Sequence, residues 1–367
     1  METRSPEGRE TAPLKVIQIL TNLTKGDAIS NDVLAIDEEL CEAGYETAIM
    51  TLKVHEDLES EVVAFDLESF SASDIVIFHK STGDALTKRV SQLFCKKGVI
   101  YHNITPARFF LPYDPVMAGV LMAGRHQLKK HIRKFDFAWG DSEYNCKELR
   151  EIGAKNIEVL PVLLKQNRII PDEETLEELK NHNGTKLLFI GRISPNKKYE
   201  DIIKVYWHVL QQDPNAKLFL IGRWDGLEKY YAKLKGFCAN LHLSDSQVVF
   251  TGSVSEEKKK AYLTGTDVLV CMSEHEGFCI PLVESMAHDL PVVAYAAAAI
   301  PETLGESHEL LYREKNYSII ADAILRLKMD EAFRQRIIAS QHEQLRKFNS
   351  KKTQEKLLSL IRRVTDE

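Results

Sequence analysis

Cysteine is sparse in this sequence and shows no metal-binding or redox spacing. Six cysteines (Cys41, Cys95, Cys146, Cys238, Cys271 and Cys279) are scattered over 367 residues with no C-x-x-C. That pattern argues against a disulfide framework or a zinc site and for a reducing cytoplasm. No sign of charge dominates. The net charge of -6 gives no reason to expect nucleic-acid binding by the whole chain. No apolar run approaches the roughly 20 residues that span a bilayer. The opening METRSPEGRETAPLK lacks the apolar core of a secretory signal, and its polarity predicts disorder over residues 1–13. Low-complexity segments and close repeats are also missing.

What remains is ordinary soluble material, 44% hydrophobic and 28% charged, long enough for two domains. Short apolar runs alternate with helical patterns. KVIQIL, TAIMT, DIVIF, GVIYH and DFAWG read as strands in the first half, with a helix over 31–43. KLLFIG, KLFLIG, VVFTG, DVLVCM and PVVAY repeat the design in the second, separated by helices over 200–211, 227–238 and 256–263. Nearly continuous apolar strands between helices predict parallel sheets buried on both faces. PVLLKQNRIIPDEETLEELKNHNG, 161–184, is read as a polar, irregular boundary. The expected division is 14–162, 163–348 and a final helix over 349–367.

In open α/β sheets ligands bind beyond the carboxyl ends of the strands. Several chemically capable residues fall there: His79, His102, Arg192, Arg223, Gly252 and the stretch 274–277. In GRISPNKKYED, Arg192 and Lys197 stand five apart on the loop leaving a strand. A planar guanidinium with a flexible ammonium suits a diphosphate, although a pair of solvated surface cations would read the same way. In SEHEGFCIPLVESMAHDLPVVAY, Pro281 suits a helix start, whose unpaired N–H groups beside 277–280 make an anion site. Glu284, in the first turn, could accept hydrogen bonds from two adjacent hydroxyls, or simply complement the helix dipole. Glu276 could grip a sugar on the other side of the phosphates. Phosphates between two hydroxyl-binding carboxylates describe a nucleotide sugar.

The E-x7-E segment preceded by G-R-I-S-P-N-K-K, with Pro301 and Glu302 in the following PVVAYAAAAIPETLG, resembles the retaining glycosyltransferases of family 4. The resemblance covers almost the whole chain. It implies the GT-B fold, two Rossmann-like doubly wound α/β domains facing a central cleft. It implies a nucleoside diphosphate sugar donor, GDP-mannose or a UDP-hexose, with no cofactor and no metal required. Carried over, Arg192 and Lys197 hold the diphosphate and Glu276 contacts the donor sugar. Gly277, Phe278, Cys279 and Ile280 line the phosphate and sugar. Glu284 holds the ribose, and Gly252, Ser253 and Val254 meet the base. Cys279 departs from the glycine many relatives have there. Gly26 in TKGDAISND resembles the family's first loop, with Asp27 toward an acceptor hydroxyl; an ordinary loop capped by Ser30 is the plainer reading. His102 matches a histidine near the reacting sugar, and His79 and Lys80 are further candidates on the acceptor side.

The expected activity is hexosyl transfer to a glycan, glycolipid or small-molecule hydroxyl. The alternatives are another enzyme of this fold, an epimerase or phosphorylase, or a non-catalytic sugar-nucleotide-binding module. RHQLKKHIRKFD, 125–136, is locally basic. It would suit a lipid-linked acceptor and peripheral contact at the inner face of the membrane. It reads equally as a solvated helix face, because Leu121, Leu128 and Ile132 give it a core side without lipid. TQEKLLSLIRRV reads as an amphipathic helix, which the resemblance would send back across the first domain.

Overall fold

The computed structural model describes residues 14–164 and 169–366. The expected disordered start, 1–13, lies outside the described residues. Six strands form the first sheet: β1 (Lys15–Leu23), β2 (Glu46–Val54), β3 (Ile75–Lys80), β4 (Lys96–Tyr101), β5 (Phe137–Gly140) and β6 (Ile157–Val159). Six form the second: β7 (Lys186–Ile190), β8 (Lys217–Ile221), β9 (Val248–Gly252), β10 (Val268–Cys271), β11 (Val292–Tyr295) and β12 (Leu311–Tyr312). Every pairing is parallel. β3 and β10 are buried along their whole length, which explains the apolar runs Ile75–Phe78 and Val268–Cys271.

In the first half, α1 (Ala28–Glu42), α2 (Leu86–Val90), α3 (Pro115–His131) and α4 (Glu143–Glu151) connect the strands. The second half carries α5 (Glu173–Asn181), α6 (Tyr199–Leu210), α7 (Glu228–Asn240), α8 (Glu256–Gly265), α9 (Ile280–Ala287), α10 (Ile300–Leu304), α11 (Tyr317–Met329) and α12 (Glu331–Leu345). α13 (Ser350–Asp366) closes the described chain. α5 corrects the expectation of an irregular 161–184. Asp172 caps it by accepting from the Thr175 N–H, and Thr175 and Leu179 supply a narrow buried face.

The strand orders are β2-β1-β3-β4-β5-β6 and β12-β11-β10-β7-β8-β9. Each order reverses direction once, between β1 and β3 and between β10 and β7. Those reversals open crevices at the carboxyl ends of these strands. Both crevices are the places where the sequence puts its charged loops. A connected cluster of buried apolar side chains runs through both halves. A second joins Leu357, Leu360 and Ile361 of α13 to Val16, Ile36 and Trp139 of the first half.

Candidate functional site

The loops after β7 and β10 are tied to each other before any side chain enters the crevice. Asn196 donates Nδ2 to the His275 carbonyl at 3.0 Å, and the Glu274 N–H donates to the Asn196 carbonyl at 2.8 Å. This lacing sets Lys197 opposite Glu276. The Lys197 Nζ donates to both carboxylate oxygens of Glu276, at 2.8 and 2.9 Å. Both side chains are largely enclosed, 16% and 9% exposed. Burial pulls the Lys197 ammonium toward neutrality, but the Glu276 carboxylate more than offsets it, and the net shift is upward.

Arg192 donates Nη2 to the Asp225 carbonyl at 3.0 Å. Its buried Nε has no hydrogen-bond partner among the described residues. Burial, with Arg223 as a like-charged neighbour, holds its pKa below the usual value. A desolvated guanidinium with an unmatched N–H beside a second arginine is a place that a negative charge would stabilise.

α9 starts at Ile280, one residue earlier than Pro281 had suggested, and no side chain caps it. Its N-cap is Cys279, with φ 74° and ψ 65°. That is left-handed backbone, in which a side chain is strained and glycine is not. The departure noted in the sequence therefore falls where the backbone asks for glycine. Glu284 lies one turn further in than expected, because the first turn holds no acid. Its Oε1 accepts from Lys259 Nζ at 2.9 Å. Sequence reasoning missed Lys259, because its partner comes from another helix.

Gly252 ends β9 with φ 71°, and the Trp224 ring approaches its α-carbon side. Trp224 stacks on Tyr231 at 4.3 Å between ring centres. This aromatic surface beside 252–254 was also missed; its signal was a tryptophan directly after the strand-end L-I-G-R. Ser253 and Val254 continue the same loop toward α8.

On the facing side, Gly26 has φ 72° and open space around it. Asp27, not Ser30, caps α1, accepting from the Ser30 N–H and hydroxyl at 3.1 Å each. Lys80 does not reach the crevice. It is fully buried, bonded to Asp84 and to Thr87 Oγ1. His79 is buried too, the His102 side chain is 3% exposed, and their ring nitrogens are all engaged. Gln18 donates Nε2 to the Val33 carbonyl, which leaves its Oε1 facing His79 Nε2 at 3.0 Å. His79 Nε2 must then carry the proton. His79 Nδ1 faces His102 Nε2 at 2.9 Å, and His102 Nδ1 faces Asp141 Oδ2 at 3.0 Å. With His79 neutral, both nitrogens of His102 donate and His102 is an imidazolium. The shifts agree in direction. Burial takes His79 well down, whereas Asp141 outweighs burial and raises His102. Its charged ring belongs to this internal chain rather than to the crevice surface. Burial also raises nearby Asp32 to about 7.

Among the described residues two groups have metal-ligand chemistry: Asp32 with His79 and His102, and Cys271 with Glu276 and Cys279. In the first the imidazoles are bonded to each other, and in the second Glu276 is bonded to Lys197.

Hydrogen bonds also join the two halves beside the crevice. Ser142 Oγ donates to the Gly277 carbonyl at 2.7 Å. Glu302 accepts from the N–H groups of Glu143 and Tyr144 at the start of α4, at 2.8 and 3.2 Å. His275 Nε2 meets Asn103 Oδ1 at 2.8 Å. Gly277 fits because it is glycine: a Cβ there would meet the His102 carbonyl oxygen at 2.8 Å and Asn103 Cβ at 2.9 Å.

Comparison with known proteins gives the chain's resemblances. Residues 172–344 match the family model described as glycosyl transferases group 1. The chain is 24% identical over 201 residues to the putative teichuronic acid biosynthesis glycosyltransferase TuaC of Bacillus subtilis, covering 53% of this chain and 48% of that protein. It is 33% identical over 107 residues to GDP-mannose:cellobiosyl-diphosphopolyprenol alpha-mannosyltransferase of Xanthomonas oryzae, 29% of this chain and 27% of that one. These matches span about half or less of the relatives' length. Anabaena HepE, solved in complex with UDP and glucose, superimposes with a TM-score of 0.73 at 15% identity, covering 95% of this chain and 99% of that one. The architecture is therefore GT-B. The match to the glycosyl transferases group 1 model thus falls in the second half of the chain.

Proposed function

We propose that the chain is a retaining, metal-independent glycosyltransferase that moves a hexose from a nucleoside diphosphate sugar to a hydroxyl. The observation that carries this reading is the Lys197–Glu276 pair beside the unmatched Arg192 Nε, at the mouth of an uncapped helix. A donor offers each of these groups a better partner. Its diphosphate takes Lys197, Arg192 and the α9 N–H groups, and its sugar hydroxyls take Glu276. Cations aimed at the leaving diphosphate stabilise the charge that develops as the glycosidic bond breaks. The acceptor then approaches on the leaving-group face, and the departing phosphate oxygen takes its proton. No carboxylate is needed as nucleophile. In this reading Glu284, held by Lys259, takes the ribose, and Trp224 with Gly252, Ser253 and Val254 takes the base. Asp27 and Gly26 stand on the acceptor side.

Two donors are favoured, GDP-mannose and a UDP-hexose. The Xanthomonas relative's name includes the first, and HepE was solved with UDP and glucose. A thermal-shift screen of GDP-, UDP- and ADP-sugars separates them, since a specific ligand raises the melting temperature. Transfer to a panel of glycan, lipid-linked and small-molecule hydroxyls follows, with the product anomer read by NMR. A product of inverted configuration would overturn retention. Donor binding without transfer to any acceptor would favour a non-catalytic binding module.

A further inference from the structure

Cys271 ends β10 and Cys279 caps α9, and both are buried. Their sulfurs and a Glu276 carboxylate oxygen all lie within 4.8 Å of one another. Between them runs the loop that carries Glu274, His275, Glu276 and Gly277. Neither thiol has a part in the transfer chemistry.

We propose that Cys271 and Cys279 are a reversible disulfide site, closed by a peroxide and reopened by a thiol, that switches the donor side of the crevice. Three observations converge. The sulfurs are neighbours within 4.8 Å, and a disulfide closes that gap to a bond of about 2 Å. Cys279 keeps its side chain at a left-handed backbone position that would relax as glycine, and retained strain of this kind points to a use for the side chain. The ring that the bond would close contains Glu276, the partner of Lys197. Interaction with the neighbouring thiol holds Cys271 below its ordinary pKa, whereas the same interaction and burial hold Cys279 well above, so Cys271 is the nucleophilic member.

The chemistry balances with hydrogen peroxide as oxidant. The Cys271 sulfur attacks one peroxide oxygen. An S–O bond forms, the O–O bond breaks, and the departing hydroxide leaves as water with the thiol proton. The Cys279 sulfur then attacks Cys271, forming S–S and breaking S–O, and the second hydroxide leaves as water with the Cys279 proton. Two thiols are oxidised and one peroxide is reduced to two waters. A small thiol reverses the bond by exchange. Closing it draws the start of α9 against the end of β10 and displaces Glu276 from Lys197.

The consequence for the donor rests on the function proposed above; the bond itself does not. The full chain carrying Cys41→Ser, which removes the exposed thiol, is treated with hydrogen peroxide, quenched, and alkylated under denaturing conditions. The expected result is two fewer alkyl groups per chain than in the untreated protein, with a further loss of about 2 Da for the two thiol hydrogens, and a peptide joining residues 271 and 279. Binding of UDP- and GDP-sugars weakens about tenfold or more, the scale on which misplaced site groups act, and dithiothreitol restores it. Cys271→Ala and Cys279→Gly in the same background show no cross-link and no peroxide response relative to their own reduced states. Thiols that stay alkylatable, over-oxidation without a cross-link, or a cross-linked protein that binds donors as before would each overturn the proposal. A reduced protein that binds no nucleotide sugar would instead sink the proposed function, while the mass still decides the disulfide.

Discussion

Lys197 and Glu276 are bonded to each other in a largely enclosed place, and that sets two opposite expectations. Removing one partner strands the other's charge, which costs about 3–5 kcal/mol in comparable buried pairs. Removing both in favour of apolar groups of similar size is close to neutral. So Lys197→Met should lower stability by about 3 kcal/mol in urea unfolding, and Lys197→Met with Glu276→Leu should recover most of it. Transfer activity should fall by about 10²–10³-fold in both, because the leaving diphosphate loses a fixed cation either way. Activity that tracked stability across the pair would show that the lysine is only structural. These two residues, with Arg192 and Gly277, were legible because each lies on a short loop directly after an apolar strand. His79 and His102 were visible as histidines, but not as a proton chain. Their partners Gln18, on β1, and Asp141, just past the end of β5, are distant in sequence, and only the pairing of the sheet aligns them.

At the scale of elements, strands announced themselves and helices did so unevenly. The buried parallel strands are apolar runs, and ten were read from that feature alone. β6, with no fully buried residue, and the two-residue β12 carry too little apolar sequence to stand out. α5 was missed because its sequence is mostly Glu and Lys and its buried face is just Thr175 and Leu179. α13 shows its stripe plainly: Leu357, Leu360, Ile361 and Val364 recur at helical spacing. Packing sends that stripe against the first half's core, with Ser350 Oγ donating to the Leu164 carbonyl and Arg363 paired with Glu158 at 2.9 Å. Ile361 is fully buried, so Ile361→Ala should destabilise the protein by about 2–4 kcal/mol. Trp139 lies in the same cluster and its fluorescence reports the loss in a urea titration. A change below about 0.5 kcal/mol, the range of surface substitutions, would mean that α13 is dispensable to that core.

At the scale of the whole molecule, one contact between the two halves is made by a histidine that burial keeps neutral. His275 sits on the second half's donor loop and meets Asn103 of the first at 2.8 Å. Burial, with Arg125, Arg108 and Lys197 adding repulsion, lowers its pKa to about 3. A histidine with a lowered folded-state pKa contributes stability that is present above its unfolded value, near 6.5, and is lost as pH falls toward the folded value. Between pH 7 and pH 5 that loss is about 2 kcal/mol for His275, from 1.36 kcal/mol per unit. Asp32 and His102 work the other way, since both hold protons more tightly when folded and their contribution fades as pH rises. The raw pH profile of the protein therefore mixes opposing slopes. Comparison with His275→Gln cancels them, because the variant keeps Asp32 and His102. The stability gap between the protein and His275→Gln should narrow by about 2 kcal/mol from pH 7 to pH 5 in urea unfolding. A gap that stays constant would mean that His275 titrates in the folded state as it does in water. The contact with Asn103 would then not be holding the crevice closed on a neutral ring.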